Sequence, residues 1–230
     1  MTSLPEETVA TLEYQPDGEV LPSPLLFTRL IRAADLEQDR FSRSENAGFG
    51  LNALGGRLVE LSSCRPSACL SLSCSLILEA QTRMAPAVWI SATADTFFPP
   101  DMAANGVDLS SLPVVRVPGA RSAGRAADWL LRTGAFRLLV VDLHTDFQLP
   151  AAQAARLAQL AHRHGSTVLF LTAKPAGAPS LGSLVSLYSR ILRKRVDSGR
   201  FRFSLHIIKD KKRAPVWEHV EQLDGPPGLC

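Results

Sequence analysis

The segment Gly56–Ser73, GRLVELSSCRPSACLSLS, joins a strand pattern, a tight turn and a helix pattern in one short run. Arg57–Ser62 has the apolar run of a buried β-strand, and small and aliphatic residues from Ser67 to about Ala80 favour a helix. The polar residues Ser63–Pro66 predict a turn between them. Strand, turn and helix at this spacing form the framework of a phosphate-binding P-loop.

The residues that would bind phosphate in that framework are replaced. A functional loop reads GxxxxGK[ST]: the glycines let the backbone wrap around phosphate, the lysine neutralises it and the hydroxyl holds Mg²⁺. The four positions are occupied here by Ser63, Ala68, Cys69 and Leu70. A thiol supplies no cation and leucine no metal ligand, so we interpret the segment as a vestigial nucleotide loop. On this segment alone an ordinary strand–turn–helix unit is the better interpretation.

Asp142 ends the apolar strand pattern RLLVVDL, where a P-loop ATPase carries its magnesium-linked acid. A capping acid at a strand end is the alternative interpretation.

The rest of the core predicts an α/β fold. Apolar strands rich in Val, Ile and Leu alternate with helical patterns, which is typical of a parallel sheet covered on both faces. The predicted strands are Ala87–Ala92, Pro113–Val117, Arg137–Leu143 and Thr167–Thr172, and the helices are Pro99–Asn105, Arg121–Arg132 and Pro150–His164. In the second of these helices, Ala123, Ala126, Trp129 and Leu130 follow the spacing of a helix face.

The pattern changes after Lys174. A loop rich in Gly, Pro and Ser, Pro175–Ser183, precedes three strand patterns joined by short turns, Tyr188–Val196, Phe201–Lys209 and Val216–Gln222. We therefore expect a mostly parallel central sheet flanked by helices, with an antiparallel C-terminal edge.

Three regions are predicted: an N-terminal arm over residues 1–45, a core over 46–225 and a tail over 226–230. Prolines and low periodicity mark the arm, within which Pro24–Gln38 predicts one amphipathic helix. Its apolar side includes Leu26, Phe27, Leu30 and Ile31. This side either packs on the chain's own core or binds a partner protein.

Composition limits the function classes. Hydrophobic residues make up 46% and charged residues 20% of the chain, and no apolar run approaches the ~20 residues of a membrane span. The acidic start lacks the apolar core of a signal peptide, so we expect a cytoplasmic protein with reduced thiols. The four cysteines form no CxxC pair and have no nearby histidine at zinc spacing, so neither a metal site nor a cofactor is expected.

The net charge of +3 is unevenly distributed. Acidic residues dominate positions 1–40, and basic residues dominate positions 190–213. Candidate phosphate-binding residues for single-stranded DNA are Arg190, Arg193, Lys194, Arg195, Lys212 and Arg213. The alternative is that these are solvated charges on exposed strands. Phe201 and Phe203 share one strand face and are expected in the core, not as stacking platforms.

Four landmarks together resemble the core of bacterial RecA recombinases. They are GGRLVELSS at Gly55–Ser63, NGVDLSSL at Asn105–Leu112, LLVVDL at Leu138–Leu143 and IIKDKKRAP at Ile207–Pro215, in the family's order. The resemblance implies a RecA-like fold. It also implies that Lys209 and Lys211 match the paired lysines with which the family reaches an adjacent protomer, so they are candidate partner-binding residues.

The departures from that family imply a protein without catalysis. The position of the water-activating acid is Thr93, the long DNA-binding loop after Asp142 is missing, and the second one is reduced to about Lys174–Ser183. Such a truncated relative is most similar to the ImuA family of the bacterial mutagenic translesion-synthesis cassette. The implied partners are an ImuB-like Y-family protein, an error-prone replicative-type polymerase and RecA, with single-stranded DNA as a further candidate. A SulA-type cell-division inhibitor and a divergent ATPase are the alternatives.

Overall fold

The computed structural model describes residues 49–63, 66–92, 97–143, 147–197, 200–213 and 217–224. All of them belong to the unit Ser44–Cys230. The arm with Leu26, Phe27, Leu30 and Ile31, the position Thr93 and the tail 226–230 lie outside the described residues, so the inferences about them stay predictions.

The predicted elements that fall within the described residues occur in the predicted order, and each of their ends is displaced by at most two residues; a short helix at Leu51–Leu54 and a 3₁₀ turn at Leu109–Ser111 were not predicted. The helices are α1 (Leu51–Leu54), α2 (Pro66–Thr82), α3 (Pro99–Ala104), α4 (Gly119–Thr133) and α5 (Ala151–His164), with a 3₁₀ turn at Leu109–Ser111. The strands are β1 (Leu58–Ser62), β2 (Ala87–Ser91), β3 (Val114–Arg116), β4 (Leu138–Asp142), β5 (Thr167–Thr172), β6 (Leu187–Asp197), β7 (Arg200–Asp210) and β8 (Glu218–Asp224). Hydrophobic periodicity was sufficient to predict these elements, because the residues that a strand buries are spaced differently from those that a helix buries.

All eight strands form one mixed sheet in the order β3-β2-β4-β5-β1-β6-β7-β8. The pairs from β3 to β6 are parallel, whereas β7 and β8 are added antiparallel. Every residue of β1, β2, β4 and β5 is buried, as expected for strands covered on both faces. The α/β class and the antiparallel C-terminal edge are therefore confirmed.

Helices cover the two faces of the parallel strands. One apolar core contains Leu72 and Ile77 of α2, and the other contains Ala127 of α4 and Leu157 of α5. Both α4 and α5 end at a glycine in the left-handed conformation, Gly134 and Gly165, where the chain turns back to the next strand. No helix in the described ranges is long and apolar enough to cross a membrane.

One helix face differs from the predicted one. The buried stripe of α4 is Ala123, Ala127 and Leu131, and Trp129 is 73% exposed. At about 100° per residue, position 129 lies almost opposite position 127 on the helix, so burying the alanine stripe turns the indole outward. Small residues also let α4 approach α5 closely: a Cβ at Gly124 would lie 2.7 Å from the Gln153 amide nitrogen.

Candidate functional site

The vestigial nucleotide loop lies at the carboxyl edge of β1, where it turns into α2. Ser63 is buried, and its amide donates a hydrogen bond of 3.1 Å to the Thr172 carbonyl at the end of β5. Position 68 belongs to the first turn of α2, and its side chain lies outside the described part. The strand and the helix of the predicted strand–turn–helix arrangement are thus present as β1 and α2, whereas turn residues 64 and 65 lie outside the described part of the chain.

Cys69 occupies the position where a P-loop carries its lysine, and it points into the protein. Its side chain is completely buried, and the Sγ atom lies 3.7 Å from the Leu61 carbonyl as a weak donor. Leu70 is half-buried and packs against the same apolar core. Two side chains that would face phosphate and Mg²⁺ in an ATPase therefore belong to the hydrophobic interior.

Asp142 lies on the same side of the sheet as the start of α2. It is fully buried at the end of β4, as its place in LLVVDL predicts. Burial raises the pKa of the Cys69 thiol far above its usual range, and the Asp142 carboxylate raises it further. The structure brings Cys69 and Asp142 together, and it keeps the sulfur a neutral thiol that neither attacks nor neutralises a phosphate.

A buried ion pair that the sequence reading missed lies beside this edge. The Lys174 Nζ is 2.8 Å from a carboxylate oxygen of Glu60, and both side chains are 0% exposed. The Thr172 hydroxyl donates to the same oxygen at 3.0 Å, and the Leu181 amide donates to the other at 2.7 Å. These hydrogen bonds are what a buried carboxylate requires. A glutamate inside the apolar run LVELS was the available signal, because such a charge is almost never buried unpaired.

The loop after β5 is held on the sheet by the same cluster. Lys174 Nζ also donates to the Pro179 carbonyl at 2.9 Å, and the Tyr188 hydroxyl donates to Ala178 at 3.0 Å. Leu181 is fully buried. In open α/β sheets the crevice at the carboxyl ends of the strands is the usual ligand site. Here the chain's own loop packs on the Glu60 side chain of β1.

The paired lysines lie at the end of β7: Lys209 is in the strand, and Lys211 follows directly after its last residue, Asp210. The Lys209 Nζ donates to the Ser183 carbonyl at 3.0 Å, and Lys211 is exposed. Partial burial lowers the pKa of Lys209, and the neighbouring charge of Lys211 lowers it further, against the opposing effect of Glu60. Lys209 thus contacts the loop after β5, whereas Lys211 faces solvent.

The six candidate DNA-binding residues do not form one surface. Along the regular part of β6, Arg190 and Lys194 lie on one face and Arg193 and Arg195 on the other. Arg190 donates to the Pro175 carbonyl of the loop.

Lys212 and Arg213 lie beyond the end of β7, where both are exposed. The Lys212 Nζ lies 3.4 Å from the Gly55 carbonyl, and the Arg213 guanidinium lies 5.3 Å from the Trp217 ring centre.

The two phenylalanines of β7 face the core side. Phe203 is buried, and Phe201 packs against the same core with the Arg193 guanidinium 4.7 Å from its ring centre. The prediction that they are not stacking platforms agrees with this placement.

No family model matches the chain, and no curated protein matches it. Within the described ranges, no group of three or more His, Cys, Asp or Glu side chains is placed to hold a metal ion.

Proposed function

We propose that this chain is a RecA-like accessory protein that acts through protein–protein contacts in error-prone translesion DNA synthesis, without hydrolysing nucleotide. Its partners in this proposal are those of the ImuA family: an ImuB-like Y-family protein, an error-prone replicative-type polymerase and RecA. The observation that carries it is Cys69, a buried neutral thiol in the lysine position of a retained β1–α2 framework, beside the buried acid Asp142.

The electrostatics of this edge support a role without ATP. A triphosphate needs cationic groups to offset its charge, and the P-loop lysine and Mg²⁺ supply them. Here the groups in those places are a neutral thiol and leucine, and neither offsets the negative charge of a triphosphate. The only lysine at the end of β5, Lys174, is fully buried against Glu60.

The placement of the four landmark segments also supports the RecA-like assignment. The first forms β1, the third forms β4, and the fourth begins in β7. NGVDLSSL forms the 3₁₀ turn that leads into β3, where the Asp108 side chain accepts a hydrogen bond from the Ser110 amide. The strands of the first and third landmarks are separated in the sheet by β5 alone, so the loop and Asp142 share one edge.

Partner capture tests the proposal. We expect the tagged full chain to retain purified RecA and a purified ImuB-like Y-family protein. Replacing Leu26 and Leu30 by Asp should reduce RecA retention at least tenfold, because a charged pair in the apolar stripe would prevent the helix from docking. The matched control, Thr28→Asp with Gln38→Asp, adds the same two negative charges outside that stripe.

Equal retention by the Leu26/Leu30 variant would contradict the docking role of the arm. Retention of neither partner, together with filamentous growth on overexpression, would instead favour the SulA-type alternative.

A further inference from the structure

The outward faces of α4 and α5 carry a concentration of positive charge. The two helices contain five arginines, Arg121, Arg125, Arg132, Arg156 and Arg163, against a single acid, Asp128. All five arginines are exposed. This surface is separate from the vestigial loop and from residues 190–213, and the charge analysis of the sequence did not detect it because the two helices are apart in the chain.

An exposed aromatic ring lies within the basic row of α4. Arg121, Arg125, Trp129 and Arg132 are spaced by four, four and three residues, so they lie on one side of the helix. The row extends over about 16 Å at 1.5 Å per residue. Trp129 is 73% exposed, whereas Trp89 is completely buried. A large indole with arginines on both sides along the helix is a platform for stacking next to charge.

Asp128 joins the two helices at this surface. Its Oδ2 accepts from the Arg132 Nε at 2.9 Å and lies 3.9 Å from a terminal nitrogen of Arg156 on α5. The carboxylate is 12% exposed, and the two arginine side chains are more than half exposed. One mostly buried charge therefore holds two guanidinium groups at the surface and neutralises only one of them.

A shallow cleft continues from this pair along α5. It has a volume of about 460 Å³ and is lined by Arg132, Arg156, Gln159, Leu160, Arg163 and His164. Each guanidinium has several donors in a fixed plane that match phosphate oxygens. The cleft and the arginine row are connected through Arg132.

We infer that this surface binds single-stranded nucleic acid, with the phosphate backbone along the arginines and an unpaired base stacked on Trp129. Arginine-lined grooves with an exposed aromatic ring are the usual means of binding single strands without sequence selection. An acidic protein segment would match the charge but would not use the indole. A duplex would match the charge but keeps its bases stacked inside.

The basic strands β6 and β7 are a weaker candidate by the same criteria. Their arginines and lysines alternate between two faces, and the ring nearest to them, Phe201, is packed on the core and covered by Arg193. The α4–α5 site does not depend on the proposed RecA-like function, since it uses neither the vestigial loop nor the arm.

Fluorescence anisotropy with a labelled oligodeoxythymidylate tests the assignment on the full chain. Reversing two exposed charges by Arg125→Glu and Arg163→Glu should weaken binding by at least tenfold. It should also reduce the slope of log K against log salt by about 1.4, since each of the two lost phosphate contacts contributes about 0.7. The matched control, Arg193→Glu with Lys194→Glu, changes the net charge equally and should have a much smaller effect.

Trp129→Ala tests the stacking contact. We expect a roughly tenfold loss of affinity, the lower end of the effect of removing a stacked aromatic, with the salt slope unchanged. The indole should also show quenching of its fluorescence when the oligonucleotide binds to the wild-type chain, and Trp129→Phe should lose that signal while keeping part of the affinity.

Four results would overturn the inference: no binding of the oligonucleotide by the wild-type chain, an equal loss in the β6 control, an unchanged affinity in Trp129→Ala, or equally effective competition by poly-glutamate. The last result would identify the surface as one for acidic protein segments. Thermal melting verifies that each variant folds. If the Glu variants do not, Arg125→Gln with Arg163→Gln makes the same test with a smaller expected loss.

Discussion

The carboxyl edge of β1 and the outer surface of α4 and α5 hold charge in opposite ways. At the edge, Glu60 and Lys174 neutralise each other without any exposed side-chain surface. On the helices, five arginines face solvent against Asp128. A charge that is buried and paired acts on the fold, whereas charge in excess at the surface attracts a partner. The region that resembles a nucleotide site thus has the electrostatics of a core, and a surface without a motif has the electrostatics of a binding site.

The largest effect is expected from breaking the buried pair. Lys174→Met leaves the Glu60 carboxylate buried without its cation, which costs about 3–5 kcal/mol of unfolding free energy for such pairs. Urea unfolding at neutral pH measures this loss. The loop after β5 should also become more sensitive to limited proteolysis, because Lys174 no longer holds the Pro179 carbonyl.

The control for this variant is a pair on the surface. Arg83 lies 2.8 Å from Glu79 in a partly exposed i,i+4 pair, in which the arginine side chain is 36% and the glutamate side chain 17% exposed, so Arg83→Met should cost clearly less than Lys174→Met. Similar losses of unfolding free energy in the two variants would show that the Glu60–Lys174 pair does not stabilise the fold more than a partly exposed pair does.

A second buried pair, Arg57 with Asp210, should give a smaller and pH-dependent effect. Burial raises the pKa of Asp210, but hydrogen bonds from the Lys212 amide, Arg57 and Trp217 together bring it below its usual range. A carboxyl whose pKa is lowered by folding stabilises the protein above its unfolded pKa of about 4, and the stabilisation is lost as the pH falls towards the folded value.

Asp210→Asn should therefore cost about 3 kcal/mol at pH 7 and progressively less below about pH 4. Unfolding of both proteins by urea between pH 7 and pH 3 measures the difference. A difference that stays constant with pH would mean that Asp210 acts through packing and not through its charge.

The smallest effect is expected from ATP. Magnesium ATP at millimolar concentration should leave the unfolding temperature unchanged, because stabilisation by a ligand requires binding to the folded state and Cys69 and Leu70 supply no phosphate or metal ligand. Saturable micromolar binding that Cys69→Glu abolishes would instead support the divergent ATPase. An oligonucleotide that raises the unfolding temperature under the same conditions would show that the α4–α5 surface binds a ligand whereas the vestigial nucleotide loop does not.

The sequence predicted most of the fold because its signals are local. The apolar runs of β1, β2, β4 and β5 and the helical spacing of α5 identify elements without reference to distant residues. The same reasoning was wrong for Trp129, since several faces of α4 contain alanine or leucine. Which face is buried depends on the close approach of Gly124 to α5.

Some features of the candidate sites were likewise predictable from the sequence, and others were not. Replacement of the P-loop residues at positions 63, 68, 69 and 70 is a matter of residue identity, and the sequence determined it alone. The pairing of Glu60 with Lys174 and the convergence of Arg132 and Arg156 on Asp128 were decided only by the tertiary structure. Local periodicity describes neighbours along the chain, whereas these contacts join residues that only the strand order and helix packing bring together.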